Sequence, residues 1–284
     1  MAEFKGIDVS KWQGDIDYNK VKASGVQFVI IKAGEKNFVD GKFEQNYQRA
    51  TAAGLSVGAY WFTHATTEAD MKAEAETCMA KIAGKRFDYP IYCDFEMNTQ
   101  LALPKATQEK LLCTWMETLK AKKWYGGIYM SKAHLQKLSN ATIGKYPVWV
   151  AQYYSRCTYT GSYGMWQNSS TGKIAGISGN VDTDISYVYY PDYIKRGGYN
   201  GYDGTPTPEP APQKVSVTAL MPVLRSGSKG DAVKVWQTIV KTDADGKYGS
   251  KTLAATKDFQ AKNGLTPDGV VGAKTWPKGL ESLT

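Results

Sequence analysis

Hydrophobic runs of strand length alternate with helix-length amphipathic segments along the first 130 residues. The strand-like runs are GIDVS, FVIIKAG, SVGAYWF, YPIYCDFE and YGGIYM. Helix-length segments lie between them near residues 43–53, 67–83 and 107–122. Such alternation predicts parallel strands joined by crossover helices.

The pattern changes after Met130. A short helical stretch near residues 133–138 precedes three further runs, PVWVAQY, MWQNS and VDTDISYV. The connections are only about 11 residues long, too short for comfortable helical crossovers, so we expect these last strands to be antiparallel. Eight strands in total predict an α/β fold, a modified TIM-like (β/α)5(β)3 barrel with its active site at the C-terminal ends of the strands.

A Gly- and Pro-rich segment then divides the chain. Residues 197–214 read GGYNGYDGTPTPEPAPQK, a composition that sustains neither helix nor central strand and is typical of a semi-rigid spacer. We therefore expect a barrel domain at residues 1–196, a linker at 197–214 and a second domain at 215–284.

The second domain contains an internal repeat. The pattern D-G-x-x-G-x-K-T occurs twice, beginning at Asp245 and at Asp268. Each Asp-Gly pair predicts a turn, and helix-length segments lie near 230–241 and 252–262. These features predict a small all-α domain of three helices.

The charge and composition of the chain limit the kinds of partner that we expect it to bind. The formal net charge of +8 is spread along the chain and is compatible with any polyanion, including an acidic cell envelope. No helix-turn-helix, zinc-finger or basic-zipper pattern is present, so we expect no nucleic-acid partner. No apolar run is long enough to span a bilayer, so we expect no membrane insertion.

Cysteine and histidine are sparse. Cys78, Cys93, Cys113 and Cys157 form no C-x-x-C pair, which favours buried free thiols over a metal or redox site. With only two histidines, a His-dependent triad is hard to assemble. We therefore expect no metal or cofactor and assign the chemistry to carboxylates.

The most informative carboxylates end the fourth strand-like run. Asp94 and Glu96 occupy positions i and i+2, which share one face of a strand at roughly 6.5 to 7 Å. Two carboxyls at that range repel when both are ionised, which raises the pKa of one of them, and glycoside hydrolysis uses such a pair. A solvated strand end is the alternative, because D-x-E is a short pattern.

The ordered segments GIDVSKWQGDID, GVQFVIIKAGE, GAYWF, YPIYCDFE, GIYMS, VWVAQY, MWQNS and GNVDTD resemble the glycoside hydrolase family 25 lysozymes. The resemblance covers nearly all of residues 4–194. The segments LRSGSKGDAVKVWQ, DGKYGSKT, FQAKNGL and DGVVGAKTW resemble the type 1 peptidoglycan-binding domain. The chain departs from the family pattern at Asp184, where Asn is common, and at residues 34–36.

The resemblance implies an N-acetylmuramidase that hydrolyses the β-1,4 bond between N-acetylmuramic acid and N-acetylglucosamine of peptidoglycan. It places the functional acids at Asp8, Asp94, Glu96 and Asp182, with Glu96 as general acid. Two schemes stay open: Asp94 assists attack by the substrate 2-acetamido oxygen, or a carboxylate such as Asp182 attacks directly.

Aromatic and amide side chains near the strand ends are candidates for sugar binding, because pyranose rings stack on aromatic faces. Core packing is the alternative for each aromatic ring. The candidates are Trp12, Tyr60, Trp61, Tyr129, Trp149, Gln152, Trp166 and Gln167.

Two rival functions are a non-catalytic wall-glycan-binding protein and a metal-dependent peptidoglycan deacetylase. The presence of Glu96 argues against the first, and the lack of histidine near the acids argues against the second. We expect the protein to bind peptidoglycan through both domains and to act at the bacterial cell wall. No signal peptide is visible, which fits a phage endolysin released through holins, or an exported autolysin without its leader.

Overall fold

The strands of the first domain form one closed sheet. The computed structural model describes residues 3–204, 222–272 and 274–281. The strands are β1 (Phe4–Val9), β2 (Phe28–Glu35), β3 (Phe38–Val39), β4 (Ser56–Phe62), β5 (Ile91–Asp94), β6 (Gly126–Ser131), β7 (Val148–Ala151), β8 (Met165–Gly172) and β9 (Val181–Ser186). Their order is β1-β9-β8-β7-β6-β5-β4-β2, and pairing of β1 with β2 closes an eight-stranded barrel. The two-residue β3 extends the edge of β2 outside this ring.

The barrel prediction is confirmed, but one strand direction was wrong. We expected β7, β8 and β9 to be antiparallel, whereas β7 pairs parallel with both β6 and β8. The connection from Ala151 to Met165 contains no helix in the structure, yet it is long enough to return the chain for a parallel pairing. Among the eight described strands of the ring, β9 is the one that runs antiparallel to its neighbours, β8 and β1; outside the ring, the short β3 is antiparallel to β2.

Helices cover the outside of the barrel. In the first domain they are α1 (Tyr18–Ala23), α2 (Phe43–Ala52), α3 (Glu68–Ile82), α4 (Asn98–Leu101), α5 (Lys105–Lys120), α6 (Lys132–Leu135), α7 (Asn140–Ile143) and α8 (Tyr190–Gly197). A large apolar cluster fills the space between the sheet and these helices, including Val29, Ile31, Leu112 and Trp115. In the described part of the chain no helix is long and apolar enough to cross a membrane.

A second cluster fills the barrel interior. Phe28, Tyr89, Tyr92 and Trp149 are fully or almost fully buried there. Gly6 makes room for this packing, because a Cβ atom at that position would lie 2.2 Å from the Phe28 ring. The barrel is therefore a packed core whose functional end must lie at its rim.

The first domain extends beyond the boundary that we expected at residue 196. Asn200 is fully buried, its Nδ2 donates to the Tyr89 carbonyl at 2.9 Å, and its Oδ1 accepts from the Tyr125 amide at 2.7 Å. Residues after Gly197 therefore close the N-terminal end of the barrel instead of beginning a linker. Residues 205–214 of the expected linker lie outside the described residues.

Contacts divide the chain into two units, Met1–Thr207 and Pro208–Thr284. The second unit contains α9 (Asp231–Ile239), α10 (Ser250–Lys262) and α11 (Thr275–Glu281), which confirms the three-helix prediction within the described residues. Trp236 and Trp276 pack edge to face at its centre with ring centroids 5.2 Å apart.

The repeat is structural and pairs each turn with one glutamine. Nε2 of Gln237 donates to Asp245 Oδ1 at 2.8 Å, and Oε1 accepts from the Gly246 amide at 2.9 Å. Gln260 makes the same bonds to Asp268 and Gly269, both at 2.8 Å. The duplicated D-G pattern therefore builds two equivalent turns, each held by the preceding helix.

Candidate active site

Four carboxylates from distant parts of the sequence meet at one end of the barrel. Asp94 ends β5, Glu96 follows two residues later, and Asp8 lies near the end of β1. Asp182 is near the start of β9, and because β9 is antiparallel to β1, this start lies at the same rim. Asp8 and Asp182 are paired directly opposite each other in the sheet.

The four groups differ in exposure. Asp8 and Asp94 are buried at 6% and 5% exposure, Asp182 is half-buried, and Glu96 is exposed. Burial is the largest cause that raises the pKa of each of the four carboxyls above its ordinary value. The charge of Asp182 further raises the pKa of Asp8, and the charge of Glu96 further raises that of Asp94. The site therefore holds protons that isolated carboxyls would release.

Gln167 anchors one of these acids. Its Nε2 donates to Asp8 Oδ2 at 2.7 Å, and the residue is only 3% exposed. Its Oε1 accepts hydrogen bonds from the hydroxyls of Tyr129 at 2.8 Å and Tyr153 at 3.1 Å. The buried amide thus links β8 to β1 and fixes the orientation of the Asp8 carboxyl.

A cavity of about 740 Å³ opens beside Glu96. It is large enough for a sugar and lies along one side of the acid cluster. Its walls combine aromatic rings with polar side chains. They are formed by Glu96, Tyr129, Ser131, Lys132, Ala133, Gln136, Ala151, Gln152, Tyr153, Tyr154 and Thr158.

Lys32 brings a positive charge to the site and was missed in the sequence. Its Nζ lies 2.8 Å from Glu35 Oε2, and its side chain is 16% exposed. This ammonium group lowers the pKa of both Asp94 and Glu96, against the larger effect of burial. The sequence could have indicated this position, because Phe28, Ile30 and Lys32 occupy alternate positions along β2 and therefore share one face of the strand. The first two face the barrel interior.

Some of the predicted sugar-binding residues do lie at this end. Tyr129 lines the cavity, and half-buried Tyr60 faces the acids, since the charges of Asp8 and Asp94 help to raise its pKa after burial. Trp12 follows β1 in a short 3₁₀ turn and is 80% exposed. These three rings are accessible or border the acid cluster.

Three predicted tryptophans are not accessible to a sugar. Trp61 is 0% and Trp166 is 4% exposed, and both belong to the cluster between the barrel and its helices. Trp149 faces the barrel interior but is 1% exposed, and its Nε1 donates to Asp184 Oδ1 at 2.9 Å. Their predicted role in substrate binding was wrong, because their rings are buried by packing against other side chains.

Gln152 lies in the cavity wall, where its side chain holds a loop. Its Oε1 accepts from the Thr158 amide at 2.8 Å, and its Nε2 donates to Thr158 Oγ1 at 2.9 Å. The neighbours Tyr153 and Tyr154 are 52% and 70% exposed in the same wall and were missed. Their position immediately after β7, where a barrel strand meets the functional rim, was the available signal.

The arrangement has no group of three or more His, Cys, Asp or Glu side chains placed to hold a metal ion, within the described residues. The cysteines are free thiols; Cys78 and Cys93 are buried as expected, whereas Cys113 and Cys157 are only half-buried. What the site offers is a set of carboxyls with raised pKa values beside an aromatic cavity. A barrel with such a site defines a candidate carbohydrate-processing enzyme.

Comparisons with known proteins identify the family. The family model "Glycosyl hydrolases family 25" matches residues 7–177, and a peptidoglycan binding domain model matches residues 231–278. The chain belongs to glycosyl hydrolase family 25 and is a glycoside hydrolase of the family that includes lysozymes.

Individual relatives agree with this assignment. The chain is 30% identical over 277 residues to the autolytic lysozyme of Clostridium acetobutylicum, covering 95% of this chain and 77% of that protein. The lysozyme from Streptomyces coelicolor superposes with a TM-score of 0.60 at 27% identity, covering 68% of this chain and 96% of that one. The autolysin LytC from Streptococcus pneumoniae, solved with a synthetic peptidoglycan ligand, superposes with a TM-score of 0.59 at 28% identity. The match covers 65% of this chain and 47% of that one.

Proposed function

We propose that this protein is a muramidase that hydrolyses the β-1,4 bond between N-acetylmuramic acid and N-acetylglucosamine in bacterial peptidoglycan. The observation that carries the proposal is the placement of Glu96, Asp94, Asp8 and Asp182 around one open rim of a family 25 barrel. The names of the relatives, an autolytic lysozyme and a peptidoglycan-bound autolysin, support the same substrate.

Glu96 acts as the general acid. It is the most exposed of the four carboxyls and borders the cavity, so a glycosidic oxygen can reach it. Partial desolvation of its carboxyl by the surrounding protein raises its pKa, which favours the protonated form that a general acid requires. In the first step the Glu96 proton passes to the glycosidic oxygen as the bond from that oxygen to the anomeric carbon breaks.

Asp94 assists the other side of this step. The substrate 2-acetamido oxygen forms a bond to the anomeric carbon, and the Asp94 carboxylate accepts the amide N–H and stabilises the positive charge that develops. Its near-complete burial beside Glu96 suits a group that orients the amide better than one that must itself reach carbon. Water then attacks the anomeric carbon as the bond from this carbon to the acetamido oxygen breaks, which regenerates the acetamido group, and the water gives a proton to Glu96, which restores the acid.

Asp8 and Asp182 set the charge of the rim and hold substrate or water near the oxocarbenium-like transition state. Tyr129 and Tyr60 border the same space, with Trp12, Gln152 and Gln167 as further contacts or supports. Direct attack by Asp182 is the competing chemical scheme. A substrate with the acetamido group replaced by hydroxyl distinguishes them, because it should resist cleavage only if the acetamido oxygen is the nucleophile.

The second domain serves as a wall-binding module. We assign this role to residues 215–284, on the basis of the peptidoglycan binding domain match at 231–278. Tethering raises the local concentration of the barrel on an insoluble polymer. The protein would then act at the bacterial cell wall, with its glycan strand in the barrel cleft.

Mass spectrometry of digested sacculi tests the proposed reaction. A muramidase leaves reducing ends on N-acetylmuramic acid, whereas cleavage of the alternate bond leaves them on N-acetylglucosamine. Loss of acetyl groups without chain cleavage would instead indicate a deacetylase, and glycan retention without any new product would indicate a binding protein. Activity that vanishes with EDTA and returns with Mg²⁺ would also contradict the proposal.

A further inference from the structure

Asp184 lies beside Asp8 inside the barrel. The two carboxyls come from the adjacent strands β9 and β1 and are 2% and 6% exposed. The charged groups around the pair are acidic: Asp182 from β9 and Glu96 from beyond β5 act on it, and Asp94 of β5 also interacts with the charge of Asp8. Within the described part of the chain, no lysine, arginine or histidine forms an ion pair with either carboxyl.

The remaining neighbours of the pair are uncharged donors. Trp149 Nε1 of β7 donates to Asp184 Oδ1 at 2.9 Å, and Gln167 Nε2 of β8 donates to Asp8 Oδ2 at 2.7 Å. Tyr60 of β4 and Tyr129 of β6 face the same acids as neutral phenols, whose pKa values are raised by burial and then by the nearby carboxylates. Asp184 Oδ2 is fully buried and receives no hydrogen bond from any described donor.

An ionised Asp184 would leave this oxygen buried with a negative charge and no donor, which is costly in a protein interior. A proton on Oδ2 removes that cost, because the carboxyl then becomes a donor. Its available acceptor is the Asp8 carboxylate, which lies within hydrogen-bond reach of Asp184.

We propose that Asp184 is a positioning residue of this active site: as a neutral carboxylic acid it donates a hydrogen bond from Oδ2 to Asp8 and holds Asp8 as the ionised, oriented partner. Two donors then fix Asp8, namely the Asp184 hydroxyl and the Gln167 amide. The inference rests on the proposed function only in giving Asp8 a part in the reaction. The protonation state of Asp184 can be measured independently of activity.

The electrostatics agree with the placement of the proton. Burial, followed by the charge of Asp8, raises the pKa of Asp184 well above its ordinary value; the hydrogen bond from Trp149 lowers it, and the contact with the Asp8 carboxyl raises it. Burial and the charge of Asp182 also raise the pKa of Asp8, but the hydrogen bonds from Gln167 and Asp184 lower it. The contact between the two carboxyls therefore favours the protonated form of Asp184 and the ionised form of Asp8, which places the proton between them on Asp184.

The direct experiment is ¹³C NMR of the intact protein labelled at aspartate side-chain carboxyls. Asp184→Asn and Asp8→Asn assign the two resonances by their disappearance. At about pH 6, where an ordinary aspartate is ionised, we expect Asp184 to give the signal of a neutral acid and Asp8 that of a carboxylate. A carboxylate signal from Asp184 would overturn the proposal. This result stands whether or not the protein cleaves muramyl bonds.

Kinetics on peptidoglycan fragments test the positioning role. Asp184→Asn replaces the donor hydroxyl by a donor amide, so kcat/KM should stay within about threefold of the natural protein. Asp184→Leu removes the donor, and kcat/KM should fall by about tenfold or more. A folded Leu variant with full activity, or an Asn variant as impaired as the Leu variant, would refute the role. If the Leu variant fails to fold, the NMR experiment and the activity of the Asn variant test the proposal instead.

Discussion

Asp8 and Asp182 occupy directly opposed positions across the antiparallel pair of β1 and β9. This pair joins the first strand of the barrel to its last, so the pairing of the two terminal strands also brings two of the four acids together. The candidate site therefore combines residues from both ends of the first domain.

Glu96→Gln should lower kcat/KM on soluble peptidoglycan fragments by about 10² to 10⁴, because the amide has no proton to give to the leaving oxygen. The exposed position of Glu96 means that the fold should be unaffected. Circular dichroism and fragment binding check this point. Glu68→Gln, an exposed change at the start of α3, is the matched control and should retain full activity. Near-normal turnover by the Glu96 variant would remove it as the acid.

Lys32→Met should shift the alkaline limb of the pH–activity profile to higher pH. The general acid must stay protonated, and the Lys32 ammonium lowers the pKa of Glu96. Removal of this cation therefore raises that pKa and keeps Glu96 protonated at more alkaline pH. The measurement is kcat/KM against pH for both proteins. An unchanged limb, or one displaced to lower pH, would show that Lys32 does not act on the acid.

Gln167→Leu should impair both activity and stability. The change leaves Asp8 Oδ2 without its 2.7 Å donor and leaves the Tyr129 hydroxyl without its acceptor. Unsatisfied buried groups of this kind cost about 1–3 kcal/mol of unfolding free energy. A misplaced carboxylate should lower kcat/KM by about tenfold to a hundredfold. Gln48→Leu on the exposed face of α2 is the control, and equal effects of both changes would argue against a specific role for Gln167.

Strand periodicity explains which site residues the sequence could reveal. Asp94 and Glu96 are two residues apart, and both lie at the barrel rim. Tyr60 and Trp61 are adjacent, so only one of them can face inward, and the same holds for Trp166 and Gln167. In each pair the tryptophan packs against the helix layer while its neighbour faces the acids. Alternation alone could have excluded both tryptophans.

The sequence alone could not predict how deep a side chain lies in the barrel or which distant segments pair. Trp149 has the inward orientation but lies too deep for substrate, because its level depends on the stagger of the strands around the barrel. The parallel pairing of β7 with β8 follows from the path of a helix-free loop that has no local signature. The burial of Asn200 likewise depends on contacts with Tyr89 and Tyr125, far away in the chain.

Asp94→Asn should stabilise the barrel while impairing turnover. The folded-state pKa of Asp94 is raised by burial, so between its unfolded and folded pKa values the folded state binds more protons. Stability then falls as pH rises through this window, and asparagine avoids that loss. The gain in unfolding temperature should be near zero at about pH 3 and larger at about pH 8.

The exposed Asp15 provides the control for this experiment, because a hydrogen bond and ion pair with Lys42 lower its pKa. Asp15→Asn should therefore show no stabilisation that grows with pH. A gain for Asp94→Asn that is the same at both pH values would indicate improved packing instead of the removal of a buried charge.

Truncation after Gly204 should separate wall binding from catalysis. The first unit has its own buried clusters, whereas Trp236 and Trp276 belong to a separate cluster in the second unit. Lysis of intact cells should fall by about tenfold or more, because the effective concentration on the wall is lost, while cleavage of soluble fragments should stay within about threefold.

The same split should appear in the full-length chain when Trp236→Ala and Trp276→Ala are combined. Each change removes a fully buried ring at a cost of about 3–5 kcal/mol, enough to unfold a domain of this size. Lysis of intact cells and cleavage of soluble fragments are measured side by side. Equal losses in the two assays, for both the truncation and the double variant, would mean that the small domain is needed for the activity of the barrel itself. No loss of lysis on intact cells would mean that the barrel binds the wall without the small domain.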